Sequence, residues 1–131
     1  MEGSIKDLVK IRFERAKEML GASQINYEQG ELKTSLNRSY YAIFHAMRSV
    51  NLISGFDSSK HSGVIAHFNQ YYLKTNELNP SLSDIVKKAS YCREKSDYDD
   101  FYLVSKEETE EQLINAKVFL DNVEEYIRNN I

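Results

Sequence analysis

Apolar residues along this chain return every three or four positions, the spacing of amphipathic helices, and not every second position as strands require. A first helix is predicted to start at Ser4, whose hydroxyl caps the backbone with Asp7 three residues on, and to bury Ile5, Leu8, Val9, Ala16, Met19 and Leu20. Gly21 to Gly30 holds Ser, Asn and Gln without apolar periodicity and reads as the first connection. The second helix is expected over Glu31 to Leu52, ending before Ser54-Gly55. Asp57-Ser58-Ser59 offers caps for a third, in which Val64, Ile65, Phe68, Tyr71 and Tyr72 share a face. Asn79-Pro80-Ser81 marks the next boundary, with either Asn79 as the cap or Ser81 paired with Asp84, and Leu82, Ile85, Val86 and Ala89 align after it. Ser105 and Glu108 form a capping box for the last helix, whose stripe is Leu113, Ala116, Leu120, Val123 and Ile127.

Each segment is apolar on one stripe only, so the helices must bury those stripes against one another. Short connections favour antiparallel neighbours. The expected fold is all-α, an antiparallel bundle of four to five helices forming one domain over residues 1–131.

Composition agrees and narrows the picture. With 131 residues, five glycines and one proline, the chain has too little turn punctuation for a multi-stranded β protein. The single cysteine, Cys92, excludes an internal disulfide and fits a reducing compartment, where packing is its expected role. The amino-terminal segment mixes charge with apolar residues and lacks the apolar run of a signal peptide, and no window approaches the roughly 18 apolar residues that span a bilayer. A cytoplasmic protein without a membrane partner is therefore expected. The net charge of −3 argues against strong nonspecific binding to duplex DNA while leaving room for local basic clusters.

The second helix carries two faces. Projection at 100° per residue places Leu36, Tyr40, Ile43, Met47 and Val50 toward a core. Arg38 and His45 lie opposite, seven residues apart, which brings them within about 20° of each other and separates them by roughly 10 Å along the axis. Ser35, Ala42 and Ser49 are their small neighbours and Tyr41 borders the strip. Small residues allow close approach, so this face suits another helix, a second copy of the chain or a ligand; alternatively, the Arg and His are two solvated side chains.

Arg38-Ser39-Tyr40-Tyr41-Ala42-Ile43-Phe44-His45 also resembles the Arg-x4-6-His motif of the HEPN family, here as Arg-x6-His. The likeness is to the small single-domain prokaryotic branch, in which a YYAxFHA helix precedes KHxGV and an R…DY segment. This chain has Lys60-His61-Ser62-Gly63-Val64, then Arg93 and Asp97-Tyr98, so three ordered motifs span residues 38 to 98. The resemblance implies a helical bundle, frequently a homodimer, whose Arg and His face a shared cleft that cuts RNA without a metal in the ribonuclease members. It implies Arg38 and His45 as catalytic residues, no cofactor, and a toxin–antitoxin or defence role; Ser39, Tyr41, Lys60, His61 and Arg93 are the candidate substrate-binding residues beside them. Its alternative is a noncatalytic module that binds a nucleotide or a partner such as an antitoxin or a minimal nucleotidyltransferase. Met47 stands two positions after His45, where certain members carry a tyrosine that the transferase modifies.

In chemical terms, RNA brings its own 2′-hydroxyl nucleophile, so proton transfer by an imidazole and charge stabilisation by a guanidinium are the contributions required. Arg93 aligns with Leu82, Val86 and Ala89 and needs partners there, either Asp97 four residues on or a phosphate in a cleft. Lys60-His61 sits at a helix start, where free backbone amides favour anions. His67 reads as a surface or satisfied core residue, and the three histidines have no ligand-like spacing, so no metal site is expected. The nine tyrosines are expected to fill the core with hydroxyls at its edge.

Overall fold

The computed structural model describes residues 3–131, which form five helices: α1 (Gly3–Glu28), α2 (Leu32–Asn51), α3 (His61–Phe68), α4 (Leu82–Tyr98) and α5 (Lys106–Asn130). There is no strand among the described residues, and no helix is long and apolar enough to cross a membrane. α2 is the central element. Leu36, Tyr40, Ile43, Met47 and Val50 are all buried as expected, joined by Val9 and Phe13 of α1, Val64 and Phe68 of α3, Val86 of α4 and Phe119, Leu120 and Val123 of α5.

α1 continues through Gly21 and ends at Glu28, which corrects the connection expected over Gly21 to Gly30. A polar seam explains the difference. The Ser23 hydroxyl is fully buried and lies 2.8 Å from the Ser35 carbonyl oxygen, 3.1 Å from the Ser35 hydroxyl and 2.7 Å from the Ser39 hydroxyl, while Ser35 donates back to the Ser23 carbonyl at 2.8 Å. Serines with hydroxyls satisfied across a close helix pair supply the contact that apolar residues supply elsewhere, so apolar periodicity does not register it. Ala42 and Ala46 continue this row of α2 and are fully buried. The small-residue face of α2 is thus occupied by α1 of the same chain. Ser4 is already helical and not a cap.

α3 begins at His61, with Lys60 at the cap position, and Asp57 is used as an ion-pair partner and not as a cap. A π-helical turn over Asn69–Leu73 prolongs α3 and shifts its register, so Tyr72 and Leu73 are buried while Tyr71 turns outward. Before α4, Asn79 Oδ1 accepts the Ser81 amide at 3.0 Å and Ser81 makes no side-chain cap, which decides between the two expected caps. The Ser105 hydroxyl accepts the Glu108 amide at 3.0 Å, and the whole expected stripe of α5 is buried. Cys92 is buried and its thiol is pushed up to about 12, first by burial and then by Glu108, which leaves it a packing residue.

Candidate functional site

His45 lies at the edge of the α1–α2 seam, partly buried. Burial pushes its pKa down to about 4, and the nearby guanidiniums of Arg15, Arg48 and Arg12 and the ring of His61 press in the same direction. The imidazole is therefore neutral around pH 7. Its Nδ1 is enclosed without a hydrogen-bond partner, whereas Nε2 is not enclosed in that way and makes no hydrogen bond among the described residues.

The arginines around it come from two helices. Arg12 of α1 donates to both oxygens of Asp57, at 2.7 and 3.2 Å, and Arg48 of α2 donates to one of them at 3.2 Å. Asp57 is correspondingly more acidic than an ordinary carboxyl, with the Arg12 hydrogen bond the largest cause. One carboxylate thus serves two guanidiniums, and Arg15 is exposed with no ion pair among the described residues. A protein of net charge −3 concentrates surplus positive charge beside one neutral imidazole. Arg38, two turns earlier on α2, donates to Asn37 Oδ1 at 2.6 Å and has no carboxylate partner among the described residues.

A second cluster adjoins it. His61, the first residue of α3, stacks on Phe44 with ring centroids 4.3 Å apart, and its Nδ1 lies 2.7 Å from the Tyr40 hydroxyl. Arg93 of α4 places its guanidinium 4.7 Å from the centre of the Tyr40 ring and donates to Asp97 at 3.4 Å. Arg93 therefore has the i,i+4 carboxylate expected as one of its two alternatives, and its guanidinium lies over the α2–α3 aromatic cluster. Tyr41 lies edge-on to Tyr40 and His61 and 6.1 Å from His45, so it joins the two clusters.

The structure therefore gathers Tyr41, His45, His61 and Arg93, with Arg38 further along the same helix. Ser39, expected on the substrate, is 1% exposed and bonded to Ser23 inside the seam. Lys60 is exposed beside His61, its amide donating to Ser58 Oγ at 3.1 Å. His67 is satisfied, bonded to Ser54 at 2.7 Å and stacked between Phe56 and Tyr71. No group of three or more His, Cys, Asp or Glu side chains suited to a metal ion occurs among the described residues. A concavity of about 680 Å³ lies at the end of α4 between Tyr91, Tyr98 and Phe101, and neither Arg38 nor His45 borders it.

Sequence reading missed Arg12, Arg15, Arg48 and Asp57. Arg48, three residues after His45, carried a detectable signal in its helical spacing. The α1 arginines carried none, because only the packing of α1 on α2 brings them to His45.

Residues 9–126 match the family model of the HEPN domain. A UPF0332 protein of Thermotoga maritima is 32% identical over 113 residues, covering 86% of this chain and 86% of that protein. A Methanocaldococcus jannaschii protein named "Putative toxin MJ0142" is 31% identical over 93% of this chain and 82% of its own length. A second from the same organism, "Putative toxin MJ0605", is 28% identical over 95% of this chain and 92% of that protein. The ordered motifs, the five-helix bundle and the match over nearly the whole chain agree: the protein belongs to the HEPN domain family.

Proposed function

We propose that this protein is a metal-independent endoribonuclease of the toxin or defence kind, working as a cytoplasmic homodimer, with His45 as general base and Arg38 holding the scissile phosphate. The observation that carries the reading is the neutral His45, its Nε2 without a partner among the described residues, beside Arg12, Arg15 and Arg48. Arg12, Arg15 and Arg48 attract a phosphodiester, and an imidazole free of its second proton accepts the 2′-hydroxyl proton at neutral pH. Arg38, with no competing carboxylate, stabilises charge on the phosphate oxygens. Two relatives that carry the word toxin in their names support the biological class. A second copy completes the cleft in this reading, since neither Arg38 nor His45 borders the concavity at the end of α4.

The test is cleavage of single-stranded RNA in EDTA by the wild type and by His45→Ala. Loss of activity in the variant is expected, by about 10²–10⁴; no wild-type cleavage, or cleavage indifferent to the substitution, would sink the reading. A second reading is favoured by the same low pKa, because a ring this weakly basic surrounded by arginines binds phosphate without moving a proton. In that reading the protein is a noncatalytic module that holds a nucleotide, or a partner such as an antitoxin or a nucleotidyltransferase. Calorimetric nucleotide binding without turnover, or stable co-purification with such a partner, distinguishes it.

A further inference from the structure

We infer that His61 is the proton donor to the leaving 5′-oxygen, so that two imidazoles share the reaction, His45 taking one proton and His61 giving the other. The inference rests on the ribonuclease reading above and assigns the proton donor, a role that reading gives to no residue.

The geometry around His61 orients a donor. Its ring is stacked against Phe44 and Tyr40, with centroids 4.3 and 5.6 Å away, and Tyr41 closes the edge. In the proposed arrangement the Tyr40 hydroxyl, 2.7 Å from Nδ1, is the donor to the neutral ring. In the neutral ring, Tyr40 donates to Nδ1 and the ring proton stays on Nε2. In the imidazolium, Nδ1–H donates to the Tyr40 oxygen and Nε2 again carries a proton. In this arrangement Nε2–H is presented in both states, and Nε2 has no hydrogen-bond partner among the described residues.

Tyr40 itself is fixed. It is 2% exposed, its ring lies under the Arg93 guanidinium, and Arg93 is anchored by Asp97. Asp97, Arg93 and Tyr40 thus form a supporting chain behind His61, of the kind that orients a working imidazole from its far nitrogen. Phe44 contacts both imidazoles, 5.7 Å from His45 and 4.3 Å from His61, and Tyr41 lies about equally far from each, at 6.1 and 5.8 Å. The two rings therefore share one aromatic edge.

The step balances. The 2′-O–H bond breaks and its proton passes to His45 Nε2 as the 2′-oxygen bonds to phosphorus. The P–O5′ bond breaks, and the 5′-oxygen takes the Nε2 proton of the His61 imidazolium. The products are a 2′,3′-cyclic phosphate and a 5′-hydroxyl, and exchange with water restores both rings.

The groups facing His61 are Tyr40, Tyr41 and His45 from α2 and Arg93 from α4; those facing His45 are Arg12 and Arg15 from α1, Arg48 from α2 and His61 from α3. Burial and Arg93 hold the His61 pKa below its usual value, while His45 sits at about 4. The kcat/KM profile, which reports the free protein, is then bell-shaped with an acid limb near 4 and an alkaline limb below 6.5.

The experiment compares two short RNAs of one sequence, one with the natural 5′-oxygen at the cleavage position and one with a 5′-bridging sulfur, which leaves without a proton. His61→Ala is expected to cleave the oxygen substrate about 10²–10⁴ more slowly and the sulfur substrate at close to the wild-type rate, while His45→Ala loses both. Tyr40→Phe, which keeps the packed ring, is expected to show a smaller loss confined to the oxygen substrate. If His61→Ala and Tyr40→Phe slow both substrates equally, or neither, the donor role is overturned while the role of His45 stands. If the wild type cleaves neither substrate, the ribonuclease reading and the donor role fall together.

Discussion

Keeping His45 neutral makes this fold sensitive to acid, and the size of the effect follows from the structure. In the unfolded chain the imidazole takes up a proton near pH 6.5; in the folded chain it does so only near 4. Between those values the unfolded state binds more protons, so stability is complete above pH 6.5 and is lost as pH falls through the window. At about 1.4 kcal/mol per pKa unit, the whole window is worth at most roughly 3 kcal/mol, and with solvent screening at this half-buried ring the loss at pH 5 is about 1–2 kcal/mol. Against a total of about 5–15 kcal/mol for a domain, that is readily measured. His61 and His67 are also held below their usual values by burial and add to the trend, so the informative quantity is the difference between the wild type and His45→Gln. Asp57, with its carboxyl below the ordinary 3.8, contributes only at lower pH and leaves pH 5 clear. Urea unfolding at pH 7.5 and pH 5 should show the variant losing about 1–2 kcal/mol less than the wild type on acidification. Equal losses in the two proteins, or an NMR titration of His45 with its midpoint at or above 6.5, would refute the reasoning.

Three further outcomes are expected. Ala42→Trp, aimed at a fully buried position in the α1–α2 seam, should lower stability by about 3 kcal/mol or more and leave no change in assembly to observe; a stable variant of altered mass in solution would contradict the seam. Asp57→Asn releases Arg12 and Arg48 and should tighten binding of single-stranded RNA, with a log K against log salt slope steeper by about 0.7 per phosphate gained, while stability changes by under about 1 kcal/mol; anisotropy at several salt concentrations reads it. Along α4 and its contact with α5, the Ser90 and Ser96 hydroxyls, Arg93 Nε and both amide atoms of Gln112 are buried without partners, so α4 amides should exchange with deuterium faster than those of α2 and α5. The reverse ranking would count against this account of α4.

The elements most legible in the sequence were those held by apolar stripes. α5 follows its capping box and five buried positions, and the core side of α2 is Leu36, Tyr40, Ile43, Met47 and Val50 as projected. The end of α1 was illegible because Ser23, Ser35 and Ser39 hold it, and hydroxyls that satisfy one another look like a loop in a one-dimensional pattern. Tyr71 was misplaced because helical projection assumes 3.6 residues per turn and the π turn at Asn69–Leu73 breaks that count. At the site, the near-helix members His45 and Tyr41 could be found from spacing. Arg12 and Arg15 could not, and neither could the use of Tyr40 as both core residue and hydrogen-bond partner of His61. Long-range packing decides those roles, and no local pattern encodes them.

The central claim, that a ribose 2′-hydroxyl attacks its own phosphate at His45, is tested most directly by the ends it leaves. Single-stranded RNA incubated with the protein in EDTA should yield 2′,3′-cyclic phosphate and 5′-hydroxyl ends by mass spectrometry, and a strand with one 2′-deoxynucleotide at the cleavage position should stay intact there. Cutting of the deoxy-substituted position, or 5′-phosphate ends from the RNA, would contradict the account.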